Sequence, residues 1–199
     1  MDLGKLLRKR RNAYGFLTRR VPDETLMAVL EDATHVPSAG FTQDFDFVVV
    51  KDETVKRKLA EAAHEDEYVK EGYALPAFIS KAPVVVVPCG SKPRFEAKYG
   101  RPAEKTSRLP WWLIDAGFAS FSLILSAYEK GLGASFVGAI DDDKVEKALG
   151  LPINHSIVPL AVVPMGYVDP KESVKEAGRR GKIKRRRRKL DDVVHWERW

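Results

Sequence analysis

Residues 111–140 read WWLIDAGFASFSLILSAYEKGLGASFVGAI, and this stretch decides the fold. Between Trp111 and Tyr128 the one charged residue is Asp115. Apolar residues fall on every side of a helical projection, and a helix that is apolar all round is expected to be buried on all sides. Gly131 and Gly133 end it, with Lys130 in the last turn, where a cation suits a helix C-terminus. Ala134 to Ile140 is short, apolar and partly β-branched, which predicts a buried strand. A central helix, a tight glycine turn and a core strand thus form the spine. The run is also just long enough to span a bilayer. Against that, Asp115, Ser120, Ser122 and Ser126 interrupt it, and such polar groups are expensive in lipid.

On the N-terminal side of the spine, Asp2 to Arg11 predicts a short basic helix with Leu3, Leu6 and Leu7 on one face. Asn12 to Arg20 reads as irregular. Pro22-Asp23-Glu24 opens a second helix, with acid in its first turn and Leu26, Val29, Leu30 and Ala33 inward, and Val36-Pro37 stops it. Pro37 to Gln43 is a turn-forming loop whose small residues leave backbone groups open to a ligand. Phe45 to Lys51, FDFVVVK, predicts a strand. Asp52 caps a helix expected to run to about Tyr68, with Glu65 to Pro76 as polar surface. Ala82 to Cys89 is a second, buried strand. Ser91 to Pro110 reads as a long polar excursion, of a length that is often functional.

Beyond the spine, Asp142 to Leu149 predicts a short acid-capped helix, ended at Gly150-Leu151-Pro152. Ile157 to Tyr167 predicts another core strand whose prolines imply irregular pairing or an edge. Four strands and about five helices in mixed order argue for α+β, or for a three-layer α/β/α sandwich with a mixed, largely antiparallel sheet, over a doubly wound parallel sheet.

A hydrophobic content of 44% with 31% charged residues describes a globular protein with a real core, and 199 residues suit one domain spanning 1–199 or two small ones. The lone Cys89 excludes an intramolecular disulfide and fits a reducing compartment. The N-terminus carries charge but no apolar segment of the secretory kind, so the cytoplasm is the expected location. The net charge of +6 is local in origin, because residues 179–189, RRGKIKRRRRK, carry nine positive charges and no negative one, which leaves about −3 for the rest. Such a run suits a polyanion or a phosphate, or is simply solvated. The closing LDDVVHWERW places Val193, Val194, Trp196 and Trp199 in a tail too apolar to hang free in water.

Familiar catalytic constellations are missing. Gly131-Leu132-Gly133 follows a helix and precedes a strand, the reverse of a dinucleotide fingerprint, and no P-loop or GxSxG elbow occurs. Ser38 is the best-placed serine, yet no motif ties a histidine to it. His35, His64, His155 and His195 are scattered, with one cysteine, so no metal site is expected. Chemistry without a protein acid, base or nucleophile points to a cofactor that carries it.

Four ordered pieces then resemble the nitroreductase-like FMN flavoprotein family: Arg10-Arg11-Asn12 after a short helix; VPSAGFTQ-DFDFVVV from Val36 to Val50; the apolar helix followed by GLGASFVG, Gly131 to Gly138; and VVPMGY with the basic run and LDDVVHWERW behind it. The resemblance implies bound FMN, an electron donor in NADH or NADPH, and an intertwined homodimer with the flavin at the subunit interface. It implies phosphate ligands in Arg10, Arg11 and Asn12 and, from the basic run, Arg186 and Arg188. Arginine forks suit such a phosphate. It places Pro37, Ser38, Ala39, Gly40 and Gln43 against the flavin ring across the interface, and Ser135, Phe136, Val137 and Gly138 at the ring's other side. It also gives the central helix a twin to bury its extra face, and the 179–199 arm a partner subunit to wrap.

The chain departs from the family pattern at Tyr14, where many members carry Arg or Lys, at Phe41, where many carry Asn, and at Asp44-Phe45, where many carry Pro-Trp. A nitroaromatic substrate therefore does not follow directly. Trp111, Trp112 and Tyr99 line a substrate entrance or belong to the core. Three functions stay open at this level: an FMN oxidoreductase passing electrons to a small acceptor such as a nitro compound or quinone, a flavin-binding or storage protein without nicotinamide turnover, and a nucleic-acid binder using Arg185 to Arg188. The third lacks any aromatic-interleaved basic sheet or recognition-helix motif.

Overall fold

The computed structural model describes residues 2–100, 109–152, 154–172 and 187–199. Helices α1 (Leu3–Lys9) and α2 (Asp23–Thr34) precede strand β1 (Phe45–Val50). Helices α3 (Glu53–Ala62) and α4 (Glu65–Lys70) lead to β2 (Val84–Ser91), which runs directly into α5 (Lys92–Tyr99). The spine is α6 (Trp111–Glu129) followed by β3 (Gly133–Ala134), and α7 (Asp142–Leu149), β4 (Ile157–Pro159) and β5 (Val163–Gly166) complete the elements.

The caps read at Asp52 and before α7 are in place, Asp2 adds one at α1, and α2 starts after Pro22 with no side-chain cap. Asp2 accepts from the Lys5 N–H at 3.1 Å, Asp52 from Thr54 and Val55 at 2.9 Å each, and Asp141 from Lys144 at 3.1 Å. Each satisfies backbone donors that the first helical turn cannot. At the far end of α6, Gly131 takes the left-handed conformation at φ 78°, and Leu132 N–H closes on the Ala127 carbonyl at 2.8 Å. That is the geometry for which glycine is favoured after a helix.

The sheet runs β1-β2-β5-β3, with β4 also on β2, and every ladder between these strands is antiparallel. β2 is its centre and is buried along its whole length. Its register against β1 runs from Phe45 opposite Gly90 to Val50 opposite Val85. Successive residues of a strand face opposite sides, and β2 uses this to separate two cores. Val85, Val87 and Cys89 join Leu59, Phe78, Ile79 and Val145 under α3 and α7. Val84 and Val86 join Val29, Leu123, Ala127, Val163 and Met165 under α2 and α6. Helices thus cover both faces of an antiparallel sheet, the three-layer α/β/α sandwich of the α+β class expected above.

Several expectations on individual elements need correction. The predicted helix from Asp52 to Tyr68 breaks at Ala63-His64, where His64 adopts φ 53°. Glu65 is not surface: it is buried and accepts from the N–H groups of Ile79 and Ser80 and from the Ser80 hydroxyl. The predicted strand over Ala134–Ile140 shrinks to Gly133-Ala134 plus one bridge from Val137 to Val162. Ile157–Tyr167 is two short strands: the Leu160 N–H still follows the β4 register in donating to the Pro88 carbonyl, and the pairing with β2 then slips by one residue before β5 begins with Val163 opposite Val86. Residues 92–99 form a helix within the expected polar excursion, with proline in its first turn where the missing N–H costs nothing. α6, finally, is not buried on all sides, since Phe118 and Phe121 are 46% and 48% exposed.

The polar groups on α6 explain how it docks. Ser126 and Lys130 both donate to the Asp32 carboxylate of α2, at 2.6 and 2.7 Å, and Ser122 donates to the Asp32 carbonyl. By length and composition α6 would suit a bilayer; here its inner face packs on α2, β1 and β2.

Candidate functional site

β3 is too short to be a core strand, and its use is different: it receives chain from elsewhere. On one side Gly133 and Ala134 pair with Gly166 and Met165 of β5. On the other, Asn12 bridges in parallel to Ala134, and the Ala13 N–H donates to the Ala134 carbonyl at 3.1 Å. This approach requires glycine at 133, because a Cβ there would lie 2.7 Å from that of Ala13 and collide with the Val168 side chain. Two pieces far apart in sequence, Arg10 to Asn12 and Gly133 to Gly138, are thereby joined by main-chain geometry.

Arg10 is half-buried at the C-terminal cap of α1 and donates to Asn12 Oδ1 at 2.6 Å. Asn12 Nδ2 in turn donates to the Tyr14 hydroxyl at 3.2 Å. Arg11 is exposed, its guanidinium turned back to the Arg8 and Arg10 carbonyls at 2.6 and 2.9 Å. Burial holds the Arg10 guanidinium below its ordinary pKa, and the neighbouring charges of Arg11 and Arg187 press it further down. Like charges held together in a partly desolvated place cost free energy that a bound anion would offset.

Arg187, exposed in the basic run, lies near enough for its charge to act on Arg10. The sequence singled out Arg186 and Arg188 instead. Arg186 lies outside the described residues, and Arg188 is exposed. Only the register within the four arginines could not be read, since identical neighbours carry no distinguishing signal.

Beside this cluster, Ser135 is fully buried, and its hydroxyl has no hydrogen-bond partner. A buried hydroxyl left unpaired is costly, and a ligand group that reached it would supply the missing partner. Phe136 and Gly138 alternate with buried Ser135 and Val137 and are exposed. Val137 is fixed from below by two bonds to Val162, 3.1 and 3.0 Å long.

The Pro37–Gln43 loop lies elsewhere. It follows α2, and its Ala39 N–H donates to Asp115 Oδ2 at 2.7 Å, in the second turn of α6. Ser38 Oγ accepts from the Gln43 N–H at 3.0 Å, Thr42 Oγ1 donates to the Ala39 carbonyl, and Lys98 donates to the Gly40 carbonyl. Gly40, Phe41 and Gln43 all have positive φ, at 55°, 59° and 49°. A bulky residue rarely sits there without surrounding structure to hold it, and such strain concentrates at functional sites. Phe41 is 75% exposed at the tip.

Between Asp115 and the start of β3 lies most of α6, roughly 20 Å at the usual helical rise. One chain therefore brings together Arg10, Arg11, Asn12, Ser135 and Arg187, and keeps Pro37, Ser38, Ala39, Gly40 and Gln43 at the other end of its central helix.

Sequence reasoning passed over the residues that hold the loop. Asp115 and Asp44 are 1% and 0% exposed. Burial, with the Asp44 carboxyl beside it, raises Asp115 to about 6 against the lowering effect of the Ala39 N–H. A single acid in an otherwise apolar helix was the available signal. Trp112 and Tyr99 stack around Phe95, ring centroids 5.6 and 4.8 Å away, which ties α5 to the start of α6. Among the described residues, one trio of metal-type side chains comes together, Asp143, Glu146 and His155, with ligand atoms within 4.8 Å of one another. His155 Nδ1 and Glu146 Oε1 already pair at 3.0 Å, an ion pair that fastens the loop after α7.

Known proteins share this fold. The model of the nitroreductase family matches residues 7–167. An NADH dehydrogenase of Thermus thermophilus is 32% identical over 176 residues, covering 80% of this chain and 83% of that protein. Among solved structures, a nitroreductase family protein of Clostridium difficile superposes with a TM-score of 0.73 at 25% identity, over 100% of both chains. The NADPH:FMN oxidoreductase of Vibrio harveyi, solved with NAD+, superposes with a TM-score of 0.74 at 19% identity, over 98% of this chain and 76% of that one.

Proposed function

This chain belongs to the nitroreductase family, and from that premise we propose that it is a homodimeric oxidoreductase which binds FMN and draws on NADH or NADPH. The observation that carries the reading is the meeting of Arg10, Asn12 and Arg187 with the unpartnered Ser135 hydroxyl beside β3. Converging cations of this kind fit a phosphate dianion, and an enclosed hydroxyl fits the polar chain attached to it. The relatives and neighbours above carry nicotinamide or flavin chemistry in their names.

In this reading Arg10, Arg11 and Arg187 hold the phosphate, with Asn12 fixing the Arg10 fork. Arg186 and Arg188 extend the positive field of the run. Ser135 to Gly138 border the ring system. The Pro37–Gln43 loop of a second copy closes its far side, because within one chain that loop is held away by the length of α6. Bound there, FMN would supply two-electron chemistry, accepting hydride from a reduced nicotinamide and delivering electrons to a small acceptor such as a nitro compound or quinone. The protein's own contribution is to orient the ring, exclude water from one side of it and keep the phosphate neutralised.

The dimer follows from exposed apolar surface. Phe118 and Phe121 of α6, together with Leu3 and Leu7 of α1, form faces that a twin would cover, and Trp196 and Trp199 in the C-terminal arm are 86% and 100% exposed. Burying them against a partner subunit removes that contact with water. The 1–199 chain then acts as one nitroreductase-like unit whose arm wraps its neighbour, in the reducing cytoplasm where nicotinamide is supplied.

The test is the visible absorption spectrum of the purified protein before and after NADPH or NADH is added without oxygen. An oxidised-flavin spectrum that bleaches is the expected result. A flavin spectrum that does not bleach favours storage over turnover, consistent with Phe41 and Asp44 beside the loop. Failure to take up FMN overturns the site.

A further inference from the structure

Asp44 and Asp115 are enclosed together at the foot of the Pro37–Gln43 loop, one at the entry to β1 and the other on α6. Neither oxygen of Asp44 receives a donor. Two ionised carboxylates are acceptors only, so they cannot bond to one another, whereas a pair that keeps one proton can. Their chain neighbours Phe45 and Ala116 form an apolar cluster with Ala119, against which Val36, Phe47 and Leu160 pack. From α5, Arg94 is committed to the carbonyls of Gln43 and Phe45 and to the Asp46 carboxylate, and Lys98 to the Gly40 carbonyl. Among the described residues no cation pairs with either carboxylate, and burial, with the Asp44 carboxyl beside it, makes Asp115 keep its proton past the usual carboxylate range.

We propose that Asp44 and Asp115 form a proton-dependent latch on the Pro37–Gln43 loop. With one proton between them the two side chains are held together and Asp115 grips the Ala39 N–H. When that proton leaves, two enclosed anions face each other, the pair moves apart and the loop loosens. Both are positioning residues, acting through Ala39 on a loop already carrying left-handed backbone at Gly40, Phe41 and Gln43. The shift of Asp115 to about 6 places the changeover within the range of ordinary cellular pH. The consequence for the cofactor, tighter seating in mild acid, rests on the flavin reading above.

The experiment follows the Ala39 amide by NMR in the full chain from about pH 4.5 to about pH 8, in the wild type and in Asp44→Asn. Asparagine keeps the shape and supplies an N–H in place of the shared proton. The expected result is a wild-type Ala39 resonance that moves with a midpoint near the Asp115 value of about 6. Amide protection over residues 39–43 should fall about tenfold across it, with no movement in Asp44→Asn. Asp115→Asn is the second variant, and it too should abolish the movement. A wild-type Ala39 that does not titrate, or one that titrates equally in Asp44→Asn, overturns the proposal. If neither variant folds, the wild-type titration alone decides. FMN binding measured in parallel should weaken about tenfold from about pH 5.5 to about pH 8 in the wild type, and stay level in Asp44→Asn. Level binding in the wild type overturns the latch's part in seating the cofactor. A chain that binds no FMN at any pH while Ala39 titrates removes the flavin reading and supports the latch.

Discussion

Asn12 runs parallel to Ala134 at the sheet edge, tied there by the Ala13 N–H on the Ala134 carbonyl at 3.1 Å. The arginine segment is therefore positioned by main chain, and the Arg10 guanidinium is further oriented by its bond to Asn12. Arg10→Ala should weaken FMN binding by about 10- to 100-fold, the range for losing a hydrogen bond to a charged group, with little change in melting temperature. Arg187→Ala should show a smaller loss in the same direction. Fluorescence titration of FMN into the apoprotein measures both.

Gly133 is the point where this contact has no spare room. Gly133→Val would drive a side chain into Ala13 and Val168. Overpacking of this kind costs about 1–3 kcal/mol. Denaturant melts should show that loss together with impaired FMN uptake.

Stability should vary with pH in two opposed ways. Asp115 has its folded pKa raised by burial and then by Asp44, so the folded state binds the extra proton. Its contribution is complete below the unfolded value of about 4 and is lost as pH rises through about 6. Asp32 is depressed, first by the Lys130 hydrogen bond and then by Ser126, so its contribution is present above the unfolded value and is lost in acid. Chemical denaturation across this range should show both limbs. Asp115→Asn should flatten the limb from about pH 4 to about pH 6 and leave the acid limb unchanged.

The exposed face of α6 predicts the state of assembly. Phe118→Lys with Phe121→Lys places two charges where a twin's apolar surface would lie. Light scattering should report a dimer for the wild type and a monomer for the double variant, with FMN lost from the monomer.

The layers of the fold were legible because valine-rich strands and the apolar helix announce burial directly. β2, from Val84 to Ser91, and α7, from Asp142 to Leu149, have the class and nearly the bounds that their residues imply. What failed were interruptions set by tertiary contacts. His64 adopts a left-handed turn that no residue preference forces, and between Leu160 and Val163 the pairing with β2 slips by one residue. α6 looked buried all round because sequence records apolarity and does not say which molecule provides the cover. At the site, Arg10 to Asn12 and Gly133 to Ser135 were legible as pieces, while their union depends on a short parallel bridge. Asp44 and Asp115 were passed over because each alone reads as a blemish, and their meaning lies in facing each other.

The separation of the loop from the arginine cluster along α6 also has a genetic consequence. If each flavin site takes its arginines from one chain and its loop from the other, defects at Arg10 and at Ala39 belong to different complementation groups within a single gene. A mixed dimer of the two defective chains would combine both lesions in one site and leave the other intact. Two inactive alleles, expressed together, would then restore up to half the activity per mixed dimer, without recombination and without any change in either sequence.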